Sequence, residues 1–246
     1  MFLRFVILAL IIVCNACSSA LYPGNVAMPQ LKQKGEWALA GAGSMGAQGL
    51  GLQMQAAHAW SDKWGLQVSG QYLRPPSPAW NKIESHTAYE MGVLRLIKPK
   101  QSFAANTHYM LQAGVGYAAS VKWLDDVDLI YDQRLLFVQG QSHHETPFDI
   151  NVSFGLRVTA TQFDWLQQPA VSPYYSAYRR YLYYPTVEYL EYRPLFWIVT
   201  PIFQLEYPLK RLVFTGSLQA SHVVNQIDWR PPMRTLTVGM RWNIGG

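Results

Sequence analysis

Charged residues are scarce in this chain, since Lys, Arg, Asp and Glu together make up 14% of its 246 residues. Ordinary soluble domains carry about a quarter. After residue 16, no apolar run approaches the roughly 20 residues that a membrane-spanning helix needs. Both cysteines lie before residue 18, so the chain after Cys17 can form no internal disulfide. An ordinary soluble domain, a helical membrane protein and a disulfide-stabilised scaffold are all disfavoured.

What the chain does have is aromatic residues, at 14%, and an alternation of apolar and polar residues with a period of two. The alternation is clearest over residues 49–73, on both sides of the segment Ser61-Asp62-Lys63. A period of two matches the pleat of a β-strand, and the intervening segment has the composition of a turn. Residues 49–73 are therefore predicted to form a β-hairpin with one aliphatic face and one face rich in glutamine and glycine.

The same alternation predicts ten strands, an even number, as in bacterial single-chain barrels. They cover residues 36–44, 50–60, 65–73, 85–97, 107–120, 128–140, 148–162, 195–207, 211–222 and 235–245. The connections alternate between short turns and longer loops, and the longest, 163–194, falls in the longer set, as in outer-membrane barrels. We predict an all-β, closed antiparallel up-and-down transmembrane β-barrel over residues 36–246, with eight strands as the alternative.

A soluble β-sandwich would show the same alternation with its aliphatic face buried between two sheets. The polar face discriminates between the two folds. A surface in water should carry many Lys, Glu and Asp, whereas this face carries mainly Gln, Ser, Thr, Asn and Gly. Small and amide side chains suit a narrow lumen better, which favours the barrel.

Arg95 falls on the lipid-facing parity, so it either extends to the membrane boundary or marks a register that is off by one.

The N-terminus has the features of a bacterial targeting segment. Arg4 precedes a short apolar run, and small residues precede Cys17. We expect a signal peptide over residues 1–16 and acylation of Cys17, for example by palmitate, although an ordinary signal peptide remains the alternative. Residues 17–35 have no periodicity and are predicted to be a periplasmic tether between this lipid anchor and the barrel.

Several stretches of the mature chain resemble small outer-membrane β-barrel lipoproteins of Bacteroidota type, most of which have no assigned function. The similarity is carried by loose motifs in a fixed order, namely 22–25, 31–36, 57–66, 89–92, 113–117 and 148–157. His58 stands where that group usually has another aromatic residue. The resemblance implies the barrel fold and an outer-membrane location, and it carries over no catalytic residue.

Five charged residues fall on the predicted lumen face: Glu90, Arg134, Arg157, Glu206 and Arg241. A barrel of eight to ten strands is nearly filled by its own side chains, and an isolated buried charge is costly. We therefore expect opposite charges to pair across the lumen and plug it. A selectivity filter or a proton path is the alternative.

The long loop 163–194 is rich in tyrosine and arginine, the residues favoured at binding surfaces. Its predicted contact surface consists of Tyr174, Tyr175, Tyr178, Arg179, Arg180, Tyr181, Tyr183 and Tyr184. The same tyrosines could instead belong to the aromatic belt at the membrane interface. These two interpretations are compatible.

No motif in the chain points to a cofactor, a metal or catalysis. The sequence His143-His144-Glu145 is interpreted as a solvated periplasmic turn, because no third ligand accompanies it at metal-site spacing. Ser221 and His222 are adjacent in a strand and cannot share a face, and His86 with Glu84 has no nucleophile motif. The formal charge of +5 forms no basic stripe, which excludes nucleic-acid binding.

The sequence therefore predicts a non-catalytic outer-membrane lipoprotein that acts as a structural or accessory component of an envelope complex. Its expected partners are outer-membrane lipids and, through the outer loops or the tether, other envelope proteins. The alternatives are a narrow pore or transporter for small solutes and a lipid-modifying enzyme.

Overall fold

The computed structural model describes residues 31–46, 49–74, 84–97, 107–124, 127–146, 149–165, 195–224 and 233–244. The predicted signal peptide, Cys17, the first part of the tether and the tyrosine-rich surface from Tyr174 to Tyr184 lie outside these residues. No helix in the described part of the chain is long and apolar enough to cross a membrane.

Ten antiparallel strands form a single closed sheet. They are β1 (Trp37–Gly46), β2 (Gly49–Ala59), β3 (Trp64–Arg74), β4 (Glu84–Ile97), β5 (Thr107–Leu124), β6 (Val127–Glu145), β7 (Asn151–Trp165), β8 (Leu195–Leu209), β9 (Leu212–Val223) and β10 (Met233–Ile244). Each strand pairs with its neighbours in sequence, and β1 pairs with β10 from Trp37↔Ile244 to Gly46↔Thr235. The predicted fold class is confirmed, with ten strands.

The barrel has two distinct ends. At the short-turn end lie the turns 60–63 and 210–211, the last residues of β2, β4, β6, β8 and β10, and residues 31–36. At the long-loop end, named after the predicted loop 163–194, lie the last residues of β1, β3, β5, β7 and β9.

Three predicted boundaries were wrong around the longest strands. The predicted loop 121–127 is mostly strand, since β5 continues to Leu124 and β6 begins at Val127. Lys122 lies opposite Leu129 in this hairpin. The polar residue does not end the strand, because cross-strand backbone bonds do not depend on the polarity of the side chains. At the short-turn end, β6 runs on to Glu145, and β7 begins only at Asn151.

The two faces of the sheet differ sharply in polarity. On β2, Met54 is 75% exposed, whereas its neighbours Gln53 and Gln55 are buried in the lumen. The exterior is aliphatic, and exposed tryptophans lie near both rims, at Trp37, Trp60, Trp64, Trp197 and Trp242. An apolar belt on this scale would be a liability in water and fits hydrocarbon instead. The predicted assignment of faces is confirmed for β2, β3, β7, β9 and β10.

Met91 tests whether this exterior contacts lipid. It lies midway along β4, is 53% exposed, and pairs with Val68 and Val115 of the neighbouring strands. In a bilayer, Met91→Arg should lower the free energy of unfolding by about 2–4 kcal/mol, because a cation would face hydrocarbon. Met91→Leu is the control and should cost under about 1.5 kcal/mol. Urea unfolding in lipid vesicles measures both, and a change within about 0.5 kcal/mol for Met91→Arg would indicate a surface in water.

Candidate functional site in the barrel lumen

A buried ion pair crosses the lumen between β4 and β7. Arg157 Nη2 donates to Glu90 Oε1 at 2.7 Å, and Nη1 donates to Oε2 at 3.1 Å. The side chain of Arg157 is fully buried and that of Glu90 nearly so. Since β5 and β6 separate these two strands in the sheet, the pair spans the interior rather than joining neighbours. Two parallel charge-assisted bonds fix both the distance and the orientation of the groups.

Further contacts hold the Arg157 guanidinium in place. Its Nε donates to Thr159 Oγ1 at 3.0 Å, and its Cζ lies 3.8 Å from the centroid of the Phe137 ring. Hydrogen bonds and a ring face thus surround a cation that has no contact with water. Phe137 and Thr159 were not among the predicted site residues, because an apolar residue and a threonine carry no sequence signal for a charge network.

Glycines on β5 make the space for this pair. A Cβ at Gly116 would lie 2.9 Å from Glu90 Cγ, and one at Gly114 would lie 2.7 Å from Phe137 Cζ. Both are closer than carbon atoms normally approach, so a side chain at either position would displace a member of the network. In the sequence, these glycines alternate with larger residues. That pattern predicts a strand, but it does not predict which side chains lie next to the glycines.

A second buried ion pair lies nearer the short-turn end, between β8 and β10. Arg241 Nη1 donates to Glu206 Oε1 at 2.6 Å, and Nη2 donates to Oε2 at 3.1 Å. Gln204 Nε2 also donates to Glu206 Oε1 at 2.7 Å, and Arg241 Nε donates to Asn243 Oδ1 at 3.1 Å. Here too the charged groups reach past the strand between them, and each also bonds to an amide side chain on its own strand.

The two pairs determine what the lumen can do chemically. In these pairs, two guanidinium groups contact two carboxylates. The four residues therefore do not form a ring of like charges, which is the arrangement that selects ions in charged pores. Both carboxylates are held by bidentate contacts with an arginine, which is unlike an acid or base positioned for a substrate proton. Four of the five predicted lumen charges therefore meet in pairs.

The fifth, Arg134, is not in the lumen, and its predicted position is corrected. Arg134 is exposed on the exterior, with Leu136 and Val138 on the same face of β6. Apolar residues occupy both faces of this strand, so hydrophobicity did not determine its register. Pairing with β7 determines it, because Gln139 lies opposite the buried Arg157. Arg134 itself lies opposite Tyr117 and Gln162.

The interpretation of His143-His144-Glu145 as a solvated turn was also wrong. These residues end β6, and His143 is buried in the lumen, with its Nδ1 2.8 Å from Ser153 Oγ. His144 Nδ1 lies 2.9 Å from Thr107 Oγ1. No group of His, Cys, Asp and Glu among the residues described here is arranged to hold a metal ion.

The residues considered for catalysis are not brought together. Ser221 is buried and accepts a hydrogen bond from Thr200 Oγ1 at 2.8 Å, whereas His222, its neighbour in the chain, is exposed. His86 is buried on the lumen face of β4. Ser221 and His222 thus lie on opposite faces of β9.

Residues 31–35, which the sequence predicts to be part of the tether, pack against the short-turn end of the barrel. Leu31 is 5% exposed and belongs to an apolar cluster inside the barrel mouth, with Ala38, Ala57, Ala59, Leu94, Leu96 and Met110. A Cβ on Gly65 would lie 3.1 Å from Leu31 Cδ1, which shows how closely the segment packs against the wall. The tether prediction is therefore corrected for residues 31–35.

Polar contacts fasten this segment to the rim. Gly35 N donates to Ala59 O at 2.7 Å, and Lys34 N donates to Asp62 Oδ1 at 3.1 Å. Lys32 Nζ forms an ion pair with Glu145 Oε1 at 2.8 Å. Hydrophobic periodicity does not predict these contacts, because an irregular backbone that inserts one leucine has none.

No family model matches the chain, and no curated protein matches it. Solved structures with a similar fold include the KdgM porin, at 10% identity and a TM-score of 0.39 over 85% of this chain and 99% of the porin. The outer membrane protease OmpT from Escherichia coli has 6% identity and a TM-score of 0.49 over 89% and 100% of the two chains. OprG from Pseudomonas aeruginosa has 8% identity and a TM-score of 0.34 over 87% and 98%. At these identities the similarity concerns fold alone.

The Arg157–Glu90 pair should be strongly coupled in stability. Arg157→Met should lower the free energy of unfolding by about 3–5 kcal/mol, because it leaves the Glu90 carboxylate buried without its partner. Adding Glu90→Gln should restore part of that loss, since no unpaired charge then remains. Thr159→Val is the control, and it should cost about 1 kcal/mol for one lost hydrogen bond. Urea titrations of the refolded barrel complete the double-mutant cycle, and additive effects of the two substitutions would contradict coupling.

Proposed function

We propose that this protein is a non-catalytic, non-conducting β-barrel of the bacterial outer membrane that serves as a structural or accessory component of the envelope. The observation that carries the proposal is a polar lumen crossed by two buried, bidentate ion pairs inside an apolar exterior. In such a lumen, the ion pairs link separate strands of the wall and do not leave a path for solutes.

Closure at several levels supports the absence of conduction. The Arg157–Glu90 pair, the Arg241–Glu206 pair and the Leu31 cluster occur in three different parts of the lumen, and all of these side chains are buried. Opening a path would require breaking at least two charge pairs whose partners are buried. Each unpaired charge would cost several kcal/mol, which makes spontaneous opening rare.

The location of the N-terminal segment supports a lipoprotein with its anchor on the periplasmic side. Residues 31–36 lie on the rim with the short turns, the side that faces the periplasm in outer-membrane barrels. An acylated Cys17 would then be linked to this rim by residues 18–30. With the anchor and the barrel in the same membrane, the outer loops would be available to other envelope proteins.

A narrow pore is the second candidate, because the lumen wall is polar. Gln112 Oε1 and Gln219 Oε1 are buried acceptors for which the described residues provide no donor. Water molecules bound to such amides could form a path if the ion pairs opened. Conductance separates this candidate from the first.

In planar bilayers the purified protein should give no steady conductance, because the ion pairs and the Leu31 cluster close the lumen independently. A variant that lacks residues 18–35 should also be silent, since it removes only the closure at the short-turn end. A porin reconstituted in the same way is the control for insertion. Steady openings of nanosiemens size in the unmodified protein would overturn the proposal and favour the pore.

Cys17→Ala should abolish incorporation of a palmitate analogue supplied to cells, while the barrel still folds and resists proteases. Labelling that persists in Cys17→Ala would contradict the lipoprotein assignment.

Affinity purification after cross-linking in native membranes should recover a stoichiometric envelope protein with the unmodified chain. Recovery of the barrel alone, under conditions that capture known envelope complexes, would contradict an accessory role.

A further inference from the structure

One arginine lies on the apolar exterior of the barrel, close to the short-turn end. Arg95 precedes the last residue of β4 by two positions and is exposed, as are Val93 and Ile97 on the same face. It lies directly opposite Trp64, the first residue of β3, and its Cζ is 5.4 Å from the centroid of the Trp64 ring. The guanidinium therefore has a defined position, over an aromatic ring at the rim. The register is as predicted, so Arg95 does face outward.

The neighbours of Arg95 on this face supply no negative charge. Leu111 lies opposite it on β5, and Trp64 lies opposite it on β3. The cation–π contact is the interaction that Arg95 makes with the described part of the chain. Asp62, in the adjacent turn, accepts the backbone N–H of Lys34 and forms no ion pair with Arg95. This differs from Arg157, Arg241 and Lys32, each of which has a carboxylate partner.

The depth of Arg95 places it near lipid headgroups. Two residues of strand correspond to about 7 Å, so a long side chain at this position can extend to the rim. Tryptophan is enriched at the same level in outer-membrane barrels. A guanidinium here lies where membrane phosphates are found.

The turn between β2 and β3 holds this part of the rim in place. Lys63 is exposed in that turn, and its carbonyl accepts the backbone N–H of Leu96 at 2.8 Å. This bond fixes the turn next to Arg95, the residue that precedes Leu96. The rim at β3 and β4 therefore combines a cation, an aromatic ring and aliphatic residues on the exterior face.

We propose that Arg95 and Trp64 form a binding site for the phosphate of an anionic glycerophospholipid in the leaflet at the short-turn end. The guanidinium provides two parallel donors for phosphate oxygens, and the Trp64 ring holds its plane. Leu66, Val93 and Leu111 provide the surface for the acyl chains. This proposal rests on the membrane location proposed above.

Native mass spectrometry of the protein released from mixed vesicles of phosphatidylglycerol and phosphatidylcholine tests the site. The unmodified protein should retain phosphatidylglycerol in preference to phosphatidylcholine. Arg95→Gln should lower that retention about fivefold, the factor that corresponds to about 1 kcal/mol, and Arg95→Lys should lower it less. Arg211→Gln is the matched control, since it removes one positive charge from an exposed turn at the same end and should leave retention unchanged.

Insertion of each variant, measured by protease resistance in vesicles, separates this proposal from the proposed function. If the unmodified protein does not insert, the membrane location is wrong, and the lipid site is overturned with it. If every variant inserts and Arg95→Gln retains as much phosphatidylglycerol as the unmodified protein, only the lipid site is overturned. An equal loss in Arg211→Gln would overturn it too, because net charge would then explain the effect. Displacement of the lipid by free glycerol phosphate at equal concentration would show that the acyl chains contribute nothing, which also contradicts a lipid site.

Discussion

The pairing of β1 with β10 is the constraint on which the rest of this structure depends. It gives every strand two partners, so the sheet has no open edge and its backbone polar groups are paired without water. Closure also creates an inside and an outside, and the alternation of side chains then assigns each residue to one of them. With ten strands, the inside is narrow enough for side chains from opposite walls to meet. All the charge pairing in the lumen follows from that geometry.

The narrow lumen has room for large polar side chains because small residues lie next to them. Arg157 reaches across to Glu90 only because Gly114 and Gly116 leave room on β5 for Phe137 and Glu90. A buried ion pair is a weak source of stability, since desolvation offsets much of its attraction. Its clearer effect is to disfavour wrong registers, because a shift of one residue would move the charge into lipid. The network therefore specifies the fold more than it strengthens it.

The sequence predicts this fold well because the two faces of most strands differ so clearly in polarity. Prediction failed where that contrast is absent. The sequence predicts Arg134 in the lumen because both faces of β6 are apolar, whereas pairing with β5 and β7 sets the actual register. The sequence predicts Leu31 to be part of a tether, because a single inserted side chain has no period. Phe137 could not be identified as a cation partner, because its role depends on a residue 20 positions away in sequence.

Arg157 and Arg95 show how one side chain meets two environments in the same barrel. Inside, the wall surrounds the guanidinium, so its counter-ion must be a side chain, and the opposite strand supplies Glu90. Outside, the strands next to Arg95 present leucine and tryptophan, and a carboxylate among them would itself face hydrocarbon at a cost of its own. A membrane already contains phosphate at the depth of the rim. The barrel therefore needs an internal acid for each lumen arginine, whereas an exterior arginine near the rim can be neutralised by the bilayer.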